Sequence, residues 1–220
     1  MLEFVEFPKM ARLSRRCVIT EKIDGTNAQI LIEAQERAHY NNPRGVPTWA
    51  PVDGDWIFLV HAGSRNRFVT PDNDNFGFAA WAYAHIDEVV KLGPGRHYGE
   101  WWGSGIQRGY GLTKGEKRFS LFNTERWCAH DAVPMQIPTG DPRIQKWQTP
   151  VPSCMGVVPV LYDGEFTTTA AEQCIERLRA NGSVASPGFM KPEGIVVYHT
   201  AGNVGFKKTL DKDEVPKSKA

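Results

Sequence analysis

The chain has 220 residues, 41% of them apolar, and 26 basic against 25 acidic side chains, for a formal net charge of +1. That suffices for one sizeable domain, or a domain with a small appendage, and it excludes binding to nucleic acid through net charge, leaving only local patches. Four cysteines at irregular spacing (Cys17, Cys128, Cys154, Cys174) exclude a disulfide scaffold and read as reduced thiols of a cytoplasmic protein, and no apolar run approaches a membrane span or a signal-peptide core.

Residues 1–16 are mixed, with Phe4 and Phe7 ahead of Pro8 and a basic cluster at Arg12, Arg15 and Arg16. Such a cluster is either a solvated face or a contact for a phosphate backbone. Cys17–Ile19 is a short apolar run, and residues 28–34 form another. Between them, Thr20-Glu21-Lys22-Ile23-Asp24-Gly25-Thr26-Asn27 reads as a tight polar loop joining two strands. Gly25 lets the backbone bend and a partner approach closely. Lys22 is then either a lysine flanking a β-turn at Asp-Gly or a nucleophile. The second reading makes demands, because a lysine with a free pKa of about 10.4 is protonated at neutral pH. It attacks only if cations crowd it or it is desolvated. If its target is a nucleotide phosphate, the chain must supply further basic residues and a metal-binding carboxylate.

Residues 40–55 carry Pro43, Pro47, Pro51 and several glycines and read as a loop. Trp56–His61 is a buried strand that leads into Ser64-Arg65-Asn66-Arg67, suited either to an anion or ribose site or to a solvated turn. Residues 75–91 read as a helix capped by Asn75, with Phe76, Ala79, Ala80, Tyr83 and Val90 near one face and Gly93-Pro94-Gly95 closing it. In Arg96 to Gly111, a strand alternates His97, Gly99 and Trp101 with Tyr98, Glu100 and Trp102. Glu100 can take a ribose hydroxyl or pair structurally with Arg96 or Arg108. Lys117–Asn123 is another strand, whose phenylalanines suit the core or stacking on a base. Cys128-Ala-His130 offers two metal ligands, too few for a zinc site.

Residues 131–153 read as a surface excursion, and Val157–Tyr162 as an edge or bulged strand because of Pro159. Thr169-Ala-Ala-Glu172 reads as a capping box opening a helix to about Ala180, with Ile175 and Leu178 inward and Asn181-Gly182 at its end. Residues 191–198 and 204–208 form a hairpin, with Glu193 at one end and Lys207 and Lys208 at the other. This supplies what Lys22 requires. A charged tail, residues 211–220, follows.

In order, Lys22-Ile-Asp24-Gly25, Tyr98-Gly99-Glu100-Trp-Trp-Gly103, Phe119-Ser-Leu-Phe122, Pro192-Glu193-Gly194 and Phe206-Lys207-Lys208 resemble the nucleotidyltransferase motifs of the covalent lysyl-AMP ligases. Thr26-Asn27 after the lysine motif looks most like the ATP-dependent RNA ligases, particularly the nick-sealing branch. The resemblance implies an α+β fold of mainly antiparallel sheets flanked by a few helices around a central ATP pocket. It implies an adenylyltransferase domain over residues 1–210. In a departure from the family, whose DNA ligases and capping enzymes add an OB domain and many of whose RNA ligases add a helical one, residues 211–220 are expected to hold neither. By the same resemblance, Lys22 attacks the α-phosphate of ATP and carries AMP, with Asp24 and Gly25 in the same motif. Arg65 and Glu100 hold the ribose, Phe122 stacks on adenine, and Glu21 lies near the adenine. Glu193 organises a divalent metal, Mg2+ or Mn2+, and Lys207 contacts the α-phosphate.

One departure from the pattern is that Lys207 and Lys208 are adjacent rather than separated by one residue. Strand alternation sends them to opposite faces, and Lys207 is the one expected at the AMP. The implied partners are RNA ends, including a nicked duplex, with no membrane and a monomer favoured. Two alternatives share much of the pattern: a compact ATP-dependent DNA ligase, and an inactive nucleic-acid-binding module. A capping guanylyltransferase fits less well without an OB domain.

Overall fold

The computed structural model describes residues 3–74, 76–137 and 146–211. In chain order its elements are β1 (Arg16–Lys22), β2 (Thr26–Glu36), β3 (Thr48–Trp49), β4 (Trp56–Gly63), α1 (Phe78–Ala84), α2 (Ile86–Val89), β5 (Gly95–Gly103) and β6 (Lys117–Leu121). There follow β7 (Trp127–Cys128), β8 (Gln136–Ile137), β9 (Lys146–Trp147), β10 (Thr149–Pro150), β11 (Gly156–Val157), β12 (Val160–Glu165), α3 (Thr168–Asn181), β13 (Gly194–His199) and β14 (Val204–Thr209). The fold is α+β, mainly antiparallel, with few helices, as the motifs implied. No helix among the described residues is long and apolar enough to cross a membrane. The chain divides into two compact units, one built from residues up to Lys22 and from Pro159 onward, the other from Ile23–Val158.

The first unit is an antiparallel sheet in the order β12-β1-β13-β14. Cys17 and Ile19 on β1 and Ile195 and Val197 on β13 share one face. They pack against Ala170, Cys174, Ile175 and Leu178, the apolar stripe of α3. The helix begins two residues before the expected capping box. Thr167 has the extended backbone a capping residue needs, and its Oγ1 accepts the Ala170 N–H at 3.0 Å, whereas Thr169 is already helical. Gly182 ends the helix at a positive φ of 77°.

The second unit is a sheet in the order β11-β6-β5-β2-β4-β3, antiparallel except where β11 meets β6. Ile30 and Ile32 of β2, Val60 and Ala62 of β4, Trp101 of β5 and Phe119 and Leu121 of β6 bury one face against α1. The period of two leaves Asn27, Gln29, Arg96, Tyr98, Glu100 and Ser120 on the other.

Several boundaries differ from the sequence reading. The expected helix over 75–91 breaks at His85 (φ −110°, ψ 28°) into α1 and α2. Asn75, its expected cap, lies outside the described residues. Asp74 serves the helix start, its carboxylate accepting the N–H groups of Phe76 at 3.1 Å and Ala79 at 2.6 Å. Phe78 and Ala82 are buried along with the expected Ala79, while Ala80 is exposed, so the inward stripe lies to one side of the expected one. The strand expected over Val157–Tyr162 is two strands, β11 and β12, parted at Pro159, which has no N–H for a ladder. β1 extends through Lys22 and β2 starts at Thr26, so the polar loop shrinks to Ile23–Gly25. Within the surface excursion, residues 138–145 lie outside the described residues, as does the expected tail from 212 onward.

Candidate functional site

In the first unit, Lys22 is the last residue of β1, directly opposite Gly194 of β13. Its Nζ donates to Glu193 Oε2 at 2.5 Å, and the glutamate side chain is 2% exposed. Gly194 lets the start of β13 lie close against β14. It has φ +155°, and a Cβ there would lie 2.1 Å from the Lys208 carbonyl oxygen. The N–H of Leu210 donates to the Glu193 carbonyl at 2.9 Å, tying the start of β13 to the end of β14.

The registers assign faces. Lys207 pairs with Val196, which pairs with Thr20, so Lys207 shares the face of Thr20 and Lys22. Lys208 pairs with Ile195, which pairs with Glu21, and so lies on the opposite face. Both lysines are exposed.

Glu21, expected near the adenine, faces the α3 side of the sheet with Ile19 and Cys17. It is almost wholly buried, and its carboxylate accepts from Ser183 Oγ at 2.6 Å, the Val184 N–H at 2.8 Å and the Ala185 N–H at 2.9 Å. Burial pushes this carboxyl above the ordinary glutamate range, against the lowering effect of the three hydrogen bonds. The side chain therefore fastens the segment that follows α3, because adjacent strand residues cannot point the same way.

In the second unit, Asp24 Oδ2 accepts from Arg108 Nε at 3.1 Å, and the Asp24 N–H donates to Tyr110 Oη at 3.0 Å. The Gly25 N–H donates to Glu100 Oε1 at 3.1 Å, and Asn27 Nδ2 donates to Glu100 Oε2 at 3.0 Å. Asn27 Oδ1 in turn accepts from Arg65 Nε at 3.0 Å. A Cβ at Gly25 would lie 2.4 Å from the Trp101 carbonyl oxygen, so the motif passes β5 at a distance only glycine allows. Of the two arginines weighed as partners of Glu100, Arg96 reaches Gln29 and Arg108 reaches Asp24.

Phe119 is fully buried against Phe78 and Trp81, whereas Phe122, just beyond β6, is 41% exposed. Ser120 pairs with Glu100, so Phe122, two residues on, continues the Glu100 face. A cleft of about 110 Å³ adjoins Asn27, lined also by Thr26, Ser64, Arg67 and Phe76.

The structure thus gathers Lys22, Glu193 and Lys207 in one unit and Gly25, Asn27, Arg65, Glu100 and Phe122 in the other. It sends Glu21 and Lys208 to the α3 side of the first unit's sheet. Asn27, Arg108 and Tyr110 carry site contacts that sequence reasoning did not assign. Two residues past Gly25 in a strand, Asn27 had a findable face. Arg108 and Tyr110 contact Asp24 from a glycine-rich loop more than 80 positions away, and no local pattern encodes that.

Among the described residues, no group of three or more His, Cys, Asp or Glu is placed to hold a metal. His130, one of the two weighed ligands, bonds the Val151 carbonyl through Nδ1. A Mg2+ site needs only one or two carboxylates when substrate phosphates complete it, and Glu193 is a hard oxygen donor of that kind.

A family model described as RNA ligase matches residues 15–212. Among solved structures the chain is similar to two mutant forms of Naegleria gruberi RNA ligase solved with ATP and Mn. One is 20% identical with a TM-score of 0.50, covering 91% of this chain and 52% of that chain. The other is 19% identical with a TM-score of 0.51, covering 90% and 51%. At that identity the likeness is one of fold, and the chain spans about half the length of those structures. No curated protein matches the chain.

Proposed function

We propose, from the fact that this chain belongs to the RNA ligase family over residues 15–212, that it is an ATP-dependent RNA ligase working through a lysyl-AMP intermediate. The observation that carries the reading is the contact of Lys22 with Glu193 in the first unit, with Lys207 on the same sheet face as Lys22. Lys22 Nζ, freed of one proton, attacks the α-phosphorus of ATP. The N–P bond forms as the bond to the bridging oxygen breaks, and pyrophosphate leaves. Lys22 Nζ rests against Glu193 Oε2 at 2.5 Å. A divalent cation held by Glu193 and the phosphates would offset the triphosphate charge and compete with Lys22 for the carboxylate.

Lys207, on the Lys22 face, takes the α-phosphate and offsets its charge. Glu100, held by Gly25 and Asn27, accepts from ribose hydroxyls, with Arg65 fixed beside it through Asn27. Phe122 offers the exposed ring for adenine. A 5′-phosphate oxygen of the RNA then attacks the AMP phosphorus, breaking the N–P bond and restoring Lys22. Last, a 3′-hydroxyl attacks the activated 5′-phosphorus and AMP departs.

Incubation with Mg2+ and ATP labelled at the α-phosphate leaves label on the wild-type protein and none on Lys22→Ala. Joining assays on nicked duplexes with RNA or DNA at the 3′-hydroxyl then favour RNA. Absence of label on the folded wild type, or equal sealing of all-DNA nicks, overturns the reading.

A further inference from the structure

On the second unit's sheet, the row next to Glu100 has an unusual surface. Gly99 pairs with Leu121, so Tyr98 stands opposite Phe122, whose N–H donates to the Tyr98 carbonyl at 3.0 Å. On its other side Tyr98 pairs with Gln29, which pairs with Gly63, and Gly63 bridges to Phe68. All these side chains lie on the face that carries Glu100 and Asn27, not on the face packed against α1. Tyr98 is 55% exposed, Phe68 44% and Phe122 41%. Such large aromatics on a strand face are normally driven into a core, and the core face here is filled without them.

The row also has a cation. Arg96, one strand step beyond Tyr98, lies 5.9 Å over the Phe68 ring and hydrogen-bonds Gln29. Arg65 is exposed at the other end of the same face. The acidic groups facing them are Glu100, bonded to Gly25 and Asn27, and Glu33, bonded to His61. From Phe122 to Phe68 the row crosses four strand spacings, about 19 Å.

Exposed rings on a sheet, interleaved with arginine, stack successive bases and neutralise the strand's phosphates. We infer that the Tyr98–Arg96–Phe68 row is a landing platform for an unpaired RNA strand, on which Tyr98 stacks a base next to the proposed adenylate position. The inference rests on the ligase reading, because it makes the platform the substrate's approach to that site. The rings and the two arginines favour a polynucleotide over a second copy of this chain, since they match a phosphate strand in charge.

The test uses Tyr98→Ala, Tyr98→Phe and Arg96→Gln, with a fluorescent 12-nucleotide single-stranded RNA as probe and α-labelled ATP for lysyl-AMP formation. Tyr98→Ala weakens RNA binding roughly 5- to 150-fold, the span of one lost stack. Tyr98→Phe stays within about twofold of wild type, because stacking does not need the hydroxyl. Arg96→Gln weakens binding and flattens its salt dependence. All three variants keep the wild-type melting temperature and wild-type lysyl-AMP formation.

RNA affinity of Tyr98→Ala within twofold of wild type overturns the platform. So does a loss of lysyl-AMP as large as the loss of RNA binding, which makes Tyr98 part of the nucleotide pocket. A wild-type dimer that Tyr98→Ala dissociates in sedimentation overturns it in favour of self-association. If the wild type binds RNA through Tyr98 yet takes no label from ATP, the ligase reading fails while the platform stands.

Discussion

Replacing Glu21 by Ala separates two roles for the residue beside the proposed nucleophile. The carboxylate accepts three hydrogen bonds, from Ser183 Oγ, Val184 and Ala185, in a setting almost free of solvent. Bonds to a charged acceptor contribute about 1.5–3 kcal/mol each, a gross sum of roughly 4–9 kcal/mol. Burying the charge costs several kcal/mol in return, and the raised pKa shows that this cost outweighs the bonds for the ionised form. Truncation to Ala relieves the burial but leaves buried donors unpaired, so a net loss of about 2–4 kcal/mol is expected. For a chain of this size that lowers the melting temperature by about 4–16 °C.

The pH dependence has a definite sign. A carboxyl whose folded pKa is raised binds its proton more tightly when folded. Its stabilising contribution is present below the ordinary glutamate pKa and is lost as pH rises through the folded value. Thermal melts of wild type and Glu21→Gln from acid to neutral pH therefore show the wild type losing stability relative to the variant. If Glu21 instead touched adenine, Glu21→Ala would melt like wild type and raise KM for ATP. That outcome refutes the clamp.

Three further changes probe the site. Lys207→Ala slows lysyl-AMP formation by about 100- to 1000-fold, the usual span for one preorganised charge, whereas Lys208→Ala stays within about threefold, both read by single-turnover labelling. Gly25→Ala drives a methyl onto the Trp101 carbonyl and the Glu100 side chain, and is expected to cut lysyl-AMP formation about 100-fold with the fold retained by circular dichroism. Burial pushes the Cys154 thiol up to about 11, so iodoacetamide at pH 8 should label it on the order of 100-fold more slowly than an exposed thiol, as followed by mass spectrometry.

Period and punctuation made much of the fold legible. The run Trp56–His61, the hairpin from Glu193 to Lys208 and the stripe of α3 each announced themselves by local pattern. So did Lys22, through its motif. What stayed illegible depended on tertiary choice. The pattern over 75–91 is helical throughout, yet the helix starts after Gly77, with φ 76°, and breaks at His85, with Phe78 and Ala82 in its inward stripe. Thr169-x-x-Glu172 is a sound local cap, but Thr167 holds the extended backbone and takes the role. The clamp on Glu21 spans 162 residues to Ser183, and no window contains both.

One device orders two pairs of candidate site residues that are neighbours in sequence. Glu21 and Lys22 are consecutive in β1, and Lys207 and Lys208 are consecutive in β14. Alternation splits each pair, and the registers of β1, β13 and β14 match the splits, so that Lys22 and Lys207 share one face and Glu21 and Lys208 the other. A slip of one residue in the hairpin would exchange the two lysines. In the observed register the Gly194 backbone stands against Lys208 and Thr209, where any side chain would collide. The adjacency of the two lysines is therefore compatible with a single phosphate contact, chosen by register rather than by spacing.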